Sequence, residues 1–311
     1  MYVAGLHTED DKLMFRNFQE IENQAKKIGP QRAIALFPDD PDVMRAMADG
    51  KSLGLVEPIL VGDRSRIETV AHEVFMPLAG VEIIDLHDPQ KAANFCLETV
   101  VNGQASFIIK GNILTTYLYR SLIHNTGELA PDQVPCTLCF HQAIGIDKIF
   151  VITDPGVNIL PNAETKQKIL TNGINVLHQM GCSKPRVMIL AAQRFNGSDS
   201  TAIKDAIAIR QACSSNSCAE FEIYTATNLY QAFPEHGINP DTFPDLFLVP
   251  NLETGNILVK SMDHLGGGIR QCVTVGGGIT ILTPSRSDGY AARMTNLALG
   301  VVLSSSWRRG L

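Results

Sequence analysis

The sequence predicts an α/β protein of two αβα domains with mostly parallel sheets, and three observations lead there. Short apolar runs alternate with capped, helix-like segments along most of the chain, the pattern of βαβ units. The connections are short, which calls for crossovers that lay helices on both faces of a sheet. At 311 residues, with 45% hydrophobic and 19% charged, the chain has the length of about two domains and ample apolar material for their cores.

Taken in order, residues 1–28 read as a polar helix, with Phe15, Phe18, Ile21 and Ala25 at helical spacing. Arg32–Phe37 is a strand, and Asp40–Leu53 a helix capped by Asp39 or Asp40 with Pro41 at its first position. Pro58–Val61 is a strand, Arg64–Phe75 a helix, Val81–Leu86 a strand and Asp88–Asn102 a helix entered at Pro89. Ala105–Ile109 is an apolar strand ending at Lys110-Gly111, followed by a helix over Thr115–His124. Residues 127–132 (Gly-Glu-Leu-Ala-Pro-Asp) read as a linker. A second unit runs strand Lys148–Ile152, helix Ala163–Met180, strand Arg186–Ala191, helix Thr201–Cys213, strand Phe221–Thr225 and short helix Leu229–Phe233. Pro244–Pro250 is a buried strand, followed by a helix to His264, Gly266–Gly268, an apolar strand, Gly276–Gly278 and strand Ile279–Leu282. The last helix, Tyr290–Ser304, is apolar on most of its surface and should be buried.

A net charge of −6 argues against a nucleic-acid binder, though a local arginine can still hold an anion on an acidic chain. The N-terminus shows no basic region followed by an apolar core, and no apolar run approaches a membrane span. Of seven scattered cysteines only Cys136 and Cys139 have C-x-x-C spacing, and His141 alone completes no zinc set. Buried thiols in a reducing cytoplasm, with no metal, are the expectation.

Open α/β sheets bind ligands at the carboxyl ends of their strands, where Lys110, Asp154, Asn251 and Ser285 fall. Lys110-Gly111 directly follows a wholly apolar strand. Asp154 and Asn158 flank Gly156, as a site or as an Asx turn. Residues 244–288 hold the densest set: Asn251, Thr254, Gly255 and Asn256 at a helix start, Lys260 within it, Gly276-Gly277 and then Ser285-Arg286-Ser287-Asp288. Glycines permit close backbone approach, and free N–H groups beside an arginine make a phosphate cradle. The guanidinium fork of Arg286 matches phosphate oxygens, and the Ser285 hydroxyl suits an oxyanion. Asp288 is placed to act as a base or to orient Arg286.

VPNLETGNILVK followed by GGGITILTPSRSD resembles the C-terminal signature of the phosphate acetyltransferase and phosphate butyryltransferase family. Glu57–Asp63 (EPILVGD), Ile109–Thr115 (IKGNILT) and Thr153–Ile159 (TDPGVNI) with Pro161 and Lys166 are similar to further family segments, in the same order. The resemblance implies an isocitrate/isopropylmalate dehydrogenase-like fold with a cleft between domains. Residues 1–132, completed by 272–311, would form one domain and 133–271 an inserted second. It implies reversible transfer of an acetyl or butyryl (short-chain) group between coenzyme A and inorganic phosphate, in a cytoplasmic homodimer, with no cofactor and no covalent intermediate. Ser285, Arg286 and Asp288 would be catalytic. Lys110, Gly111, Thr115, Asp154, Asn158, Asn251, Thr254, Gly255, Asn256, Lys260, Gly276 and Gly277 would bind substrate. The chain departs from the acetyltransferase pattern at Tyr290–Arg293, where an aspartate is missing, leaving Asp288 or Asp154 as the base. Asn196–Thr201 also matches only loosely, although Thr201 and Asp205-Ala206 fit. A non-catalytic paralogue binding acyl-CoA or acyl phosphate is the alternative these departures raise. A nicotinamide-dependent dehydrogenase of similar fold is another, but no G-x-G-x-x-G lies between a strand and a helix, and Gly276–Gly278 precede a strand.

Overall fold

The computed structural model describes residues 15–192, 199–215, 220–233, 242–285 and 288–307. Its first half repeats one local device, a strand followed by an Asx-capped helix. α1 (Phe18–Ile28) is capped by Asn17 and buries Phe18, Ile21 and Ala25. After β1 (Gln31–Leu36), Asp40 caps α2 (Pro41–Ser52) by accepting from the N–H groups of Asp42 and Val43. After β2 (Val56–Gly62), Asp63 caps α3 (Arg64–Glu73), and after β3 (Glu82–Asp85), Asp88 caps α4 (Pro89–Val101). Each such cap stabilises its helix by about 1 kcal/mol and marks where the strand end must turn.

β4 (Phe107–Lys110) leads into α5 (Thr115–Leu129), which corrects the linker expected at 127–132. The helix continues through Gly127 because its buried face, with Leu118, Leu122 and Thr126, extends that far. A glycine inside a helix costs only about 1 kcal/mol, which such packing overrides. The strand β5 (Cys136–Gln142) was not expected, although its first six residues are buried. Then come β6 (Phe150–Thr153), α6 (Ala163–Gln179), β7 (Arg186–Ile189), α7 (Thr201–Ser215), β8 (Glu222–Ile223), α8 (Leu229–Ala232), β9 (Leu246–Leu248) and α9 (Leu252–His264). The chain ends on β10 (Ile269–Gly276), β11 (Ile279–Leu282) and α10 (Tyr290–Trp307).

The eleven strands among the described residues form one sheet, in the order β3-β2-β1-β4-β11-β10-β5-β6-β9-β7-β8. Pairing is parallel except around β10 and β5, which run antiparallel to each other, β10 also to β11 and β5 to β6. These strands make an antiparallel seam between two parallel wings. β11 brings the chain back beside β4, and α10 buries Leu297, Ala298, Leu299, Val301, Val302 and Leu303 against α1, α2 and the sheet. Gly300 permits that approach, because a Cβ there would lie 2.9 Å from Phe107. No helix among the described residues is long and apolar enough to cross a membrane.

Candidate active site

A cleft of about 210 Å³ opens where the seam meets the strand ends. From the first wing come Lys110, Thr115, Tyr119 and the Thr283-Pro284-Ser285 segment. The seam contributes Thr137, Cys139, Arg270 and Cys272, and the second wing Pro155, Gly156, Asn256, Val259 and Lys260. The volume is below the roughly 300–1,000 Å³ that encloses a drug-sized ligand, so it suits the reacting end of a larger one. Lys110, Lys260 and Arg270 meet here with no carboxylate among the described lining residues, a local positive field on a chain of net charge −6.

Lys110 is followed by a glycine that the fold requires. A Cβ on Gly111 would sit 2.1 Å from the carbonyl oxygen of Phe37, so only glycine lets this backbone lie against β1. The Lys110 ammonium is buried and donates to the Gly111 carbonyl at 3.2 Å. Along the seam a chain of hydroxyls reaches from Tyr119 to Thr137 (3.3 Å) and Thr274 (3.1 Å), and on to Thr283 (3.4 Å). Burial raises the Tyr119 phenol above its ordinary range, keeping it protonated and able to donate.

Two carboxylates hold the loops that enter the cleft. Asp154 accepts from the backbone N–H groups of Thr137 (2.9 Å), Gly156 (3.0 Å), Val157 (3.1 Å) and Asn158 (2.8 Å), and from the Asn158 amide (2.6 Å). Burial raises its proton affinity, against the opposing pull of these donors. The Asn158 amide also donates to Pro135, so Asp154 and Asn158 act on the cleft through Pro155 and Gly156, which line it. On the other side Asp288 accepts from the Ser285 N–H at 2.7 Å, and its own N–H returns to the Ser285 carbonyl at 3.1 Å. Its second oxygen faces Arg270 at 3.6 Å, while Arg270 is also paired with Asp263 of α9.

Several expected site residues have other positions. Asn251 caps α9, accepting from Thr254 N–H at 2.8 Å, and neither lines the cleft. Gly255 packs α9 against Val249 and Pro155, where a Cβ would lie 2.8 and 3.0 Å away. Asn256 does line the cleft, its amide reaching the Pro155 carbonyl at 3.4 Å. Gly276 and Gly277 are a correction. They form the β10–β11 turn at the end of the strands away from Ser285, with Gly277 N–H on Gln133 and Gly276 against Pro135 and Thr126. Positive φ at Gly277 and Gly278 satisfies a tight hairpin, which explains the glycines without a ligand. Arg286 and residues 193–198 lie outside the described residues. In the stretch lacking the expected aspartate, Tyr290 donates to Asp49 of α2 at 2.6 Å and Arg293 lies 3.8 Å from Asp40.

The cysteines give the other correction. Cys139 and Cys272 are cross-strand partners on β5 and β10, with Cα atoms 4.3 Å apart, and their sulfurs are joined in a disulfide. Cys136, three positions from Cys139, remains a free buried thiol like Cys96 and Cys182. The C-x-x-C spacing suggests a local pair, whereas strand register brings together residues 133 positions apart. Arg270, Thr137 and Thr283 were missed because only strand pairing brings them to the cleft, and Tyr119 because α5 meets that seam only in the folded chain. The one local signal was a cation opening the apolar strand after Gly266–Gly268.

Comparison with known proteins agrees with this architecture. Residues 89–280 match the family described as phosphate acetyl/butaryl transferase. Phosphate butyryltransferase of Clostridium acetobutylicum is 25% identical over 301 residues, covering 94% of this chain and 100% of that one. Phosphate acetyltransferase of Rickettsia felis is 25% identical, covering 91% of this chain and 84% of that one. The crystal structure of a phosphotransacetylase from Streptococcus pyogenes superposes with a TM-score of 0.76 at 16% identity, covering 93% of this chain and 99% of that one, which shows the shared fold. With the matched segment spanning more than half its length, the chain belongs to the phosphate acetyl/butyryl transferase family of transferases.

Proposed function

We propose that the cleft transfers a short acyl group reversibly between coenzyme A and inorganic phosphate. The observation that carries this reading is the meeting of Lys110, Lys260 and Arg270 with the Asp288-held Ser285 segment in one pocket, whose described lining residues include no carboxylate. Phosphate is held by the cations and, on the ground of its place beside Ser285, by the Arg286 fork. Its oxygen attacks the thioester carbonyl, whose developing oxyanion accepts from the Ser285 hydroxyl, and the thiolate departs into the positive field. In reverse the same field lowers the thiol's pKa, so deprotonation needs no dedicated carboxylate in contact with sulfur. Both Asp288 oxygens are engaged with Ser285 N–H and Arg270, which favours a positioning role over that of a base.

A cytoplasmic location is the expected one, and Cys96, Cys136 and Cys182 are buried outside any disulfide. A homodimer is the expected assembly. Its interface would lie elsewhere than α10, whose apolar residues are taken up within the chain's own core. The test is a thiol-release assay with phosphate and acetyl-, propionyl-, butyryl- and branched acyl-CoA. Phosphate-dependent release establishes the reaction, and the best substrate identifies the acyl chain. Failure with every thioester, from protein that binds coenzyme A, overturns it.

A further inference from the structure

We propose that the Cys139–Cys272 pair is a thiol-exchange site, at which coenzyme A forms a mixed disulfide with the protein inside its own substrate cleft. The inference rests on the reading that coenzyme A enters this cleft. Of the described cysteines, these two alone line it, on neighbouring strands of the seam that joins the two wings. One guanidinium connects the pair to the Ser285 segment. Arg270 Nη1 lies 3.4 Å from Cys272 Sγ, its Nη2 faces Asp288 at 3.6 Å, and Asp288 holds the Ser285 N–H. A disulfide placed there meets a thiol whenever the transfer reaction releases one.

The exchange balances without an outside oxidant or reductant. The thiolate of coenzyme A, its proton released to solvent, attacks Cys139 Sγ and forms a new S–S bond. The Cys139–Cys272 bond breaks, and its electron pair passes to Cys272 Sγ. Cys272 is the better leaving group because the Arg270 guanidinium stabilises a thiolate beside it, and exchange is faster when the leaving thiol has the lower pKa. The resulting charge pair between Cys272 and Arg270 competes with the contact between Arg270 and Asp288, and the bound coenzyme A fills the cleft. Accumulated free coenzyme A thereby arrests the enzyme reversibly.

The experiment uses the full-length protein, oxidised with a stoichiometric diazene-carboxamide reagent, freed of it and incubated with coenzyme A in non-reducing buffer. Intact mass should rise by one whole coenzyme A, peptide mapping should place it on Cys139, and Cys272 should become alkylatable. Turnover should be mostly lost and return with a dithiol reductant. Coenzyme A lacking its sulfur should bind without adding covalently, and Cys272→Ser protein should give no adduct. Three results overturn the proposal: no Cys139–Cys272 linkage after oxidation, an adduct on another cysteine, or equal labelling by glutathione. Thiol release measured on the reduced protein separates the cases. Turnover without an adduct sinks this inference alone, whereas absence of both turnover and binding of the sulfur-free analogue sinks the reading beneath it.

Discussion

Asp154 and Asp288 follow strands on opposite sides of one cleft, and each ties down the loop behind it. Asp154 is 3% exposed and spends its two oxygens on five donors, four backbone N–H groups and one amide, all from its own loop or from Thr137. Asp288 gives one oxygen to the Ser285 N–H and turns the other to Arg270, itself a cleft residue. The same residue type therefore serves two ends. One loop is closed on itself and passive, while the other is coupled to a cation that lines the cleft.

The largest expected effect falls on the passive side. Asp154→Ala strands several buried N–H donors at once and should cost about 3–5 kcal/mol of stability, by the usual penalty for unpaired buried groups. Chemical denaturation measures it, and a loss under about 1 kcal/mol would erase the distinction between the two loops. On the coupled side Arg270→Ala should lower kcat about 30–100-fold, equivalent to about 2–3 kcal/mol in the transition state. KM for coenzyme A should change far less, and Arg270→Lys should recover part of kcat by restoring the charge without the fork. A purely structural Arg270 would instead show normal kcat per folded molecule. Smaller again, Lys110→Met should raise KM for phosphate about tenfold, about 1.4 kcal/mol, with kcat within a few-fold. Steady-state kinetics with phosphate varied decides it.

The contrast also marks where the sequence is legible. The strands and caps of the first wing could be read locally, because apolar runs and the Asp40, Asp63 and Asp88 caps act within a few residues. Lys110 and Ser285 were recognisable for the same reason, as polar residues at the ends of apolar strands. The strand holding Cys136 and Cys139 was hidden, since cysteine and histidine fit a buried strand or a metal site equally well. Gly276 and Gly277 misled because a hairpin and an anion cradle call for the same residue. Arg270, the hydroxyl chain and the disulfide partners are set by register between β5, β10 and β11, information that no short stretch carries.

The last effect is absent at neutral pH and emerges in acid, behind Arg270. His141 on β5 is fully buried, stacked on Phe150 at 5.6 Å, and neither ring nitrogen has a hydrogen-bond partner among the described residues. Burial first, and the Arg270 charge second, lower its pKa from 6.5 to about 3. In the unfolded chain the imidazole regains its ordinary value. Between pH 6.5 and about 3 the unfolded state therefore binds a proton that the folded state does not, so stability falls as pH falls through that window. The slope from this group is at most about 1.4 kcal/mol per pH unit, and it vanishes above pH 7. His141→Phe keeps the stacked ring and removes the titration, so its stability curve should be flatter from pH 6 to 4 while matching the parent within about 1 kcal/mol at pH 8. The neutral ring also leaves Asp263, 4.0 Å away, to Arg270. An imidazole that titrates near 6.5 in the folded protein, read by NMR, would mean a cation competing with Arg270 for Asp263. The Ser285 loop would then loosen in mild acid while the Asp154 loop stayed fixed.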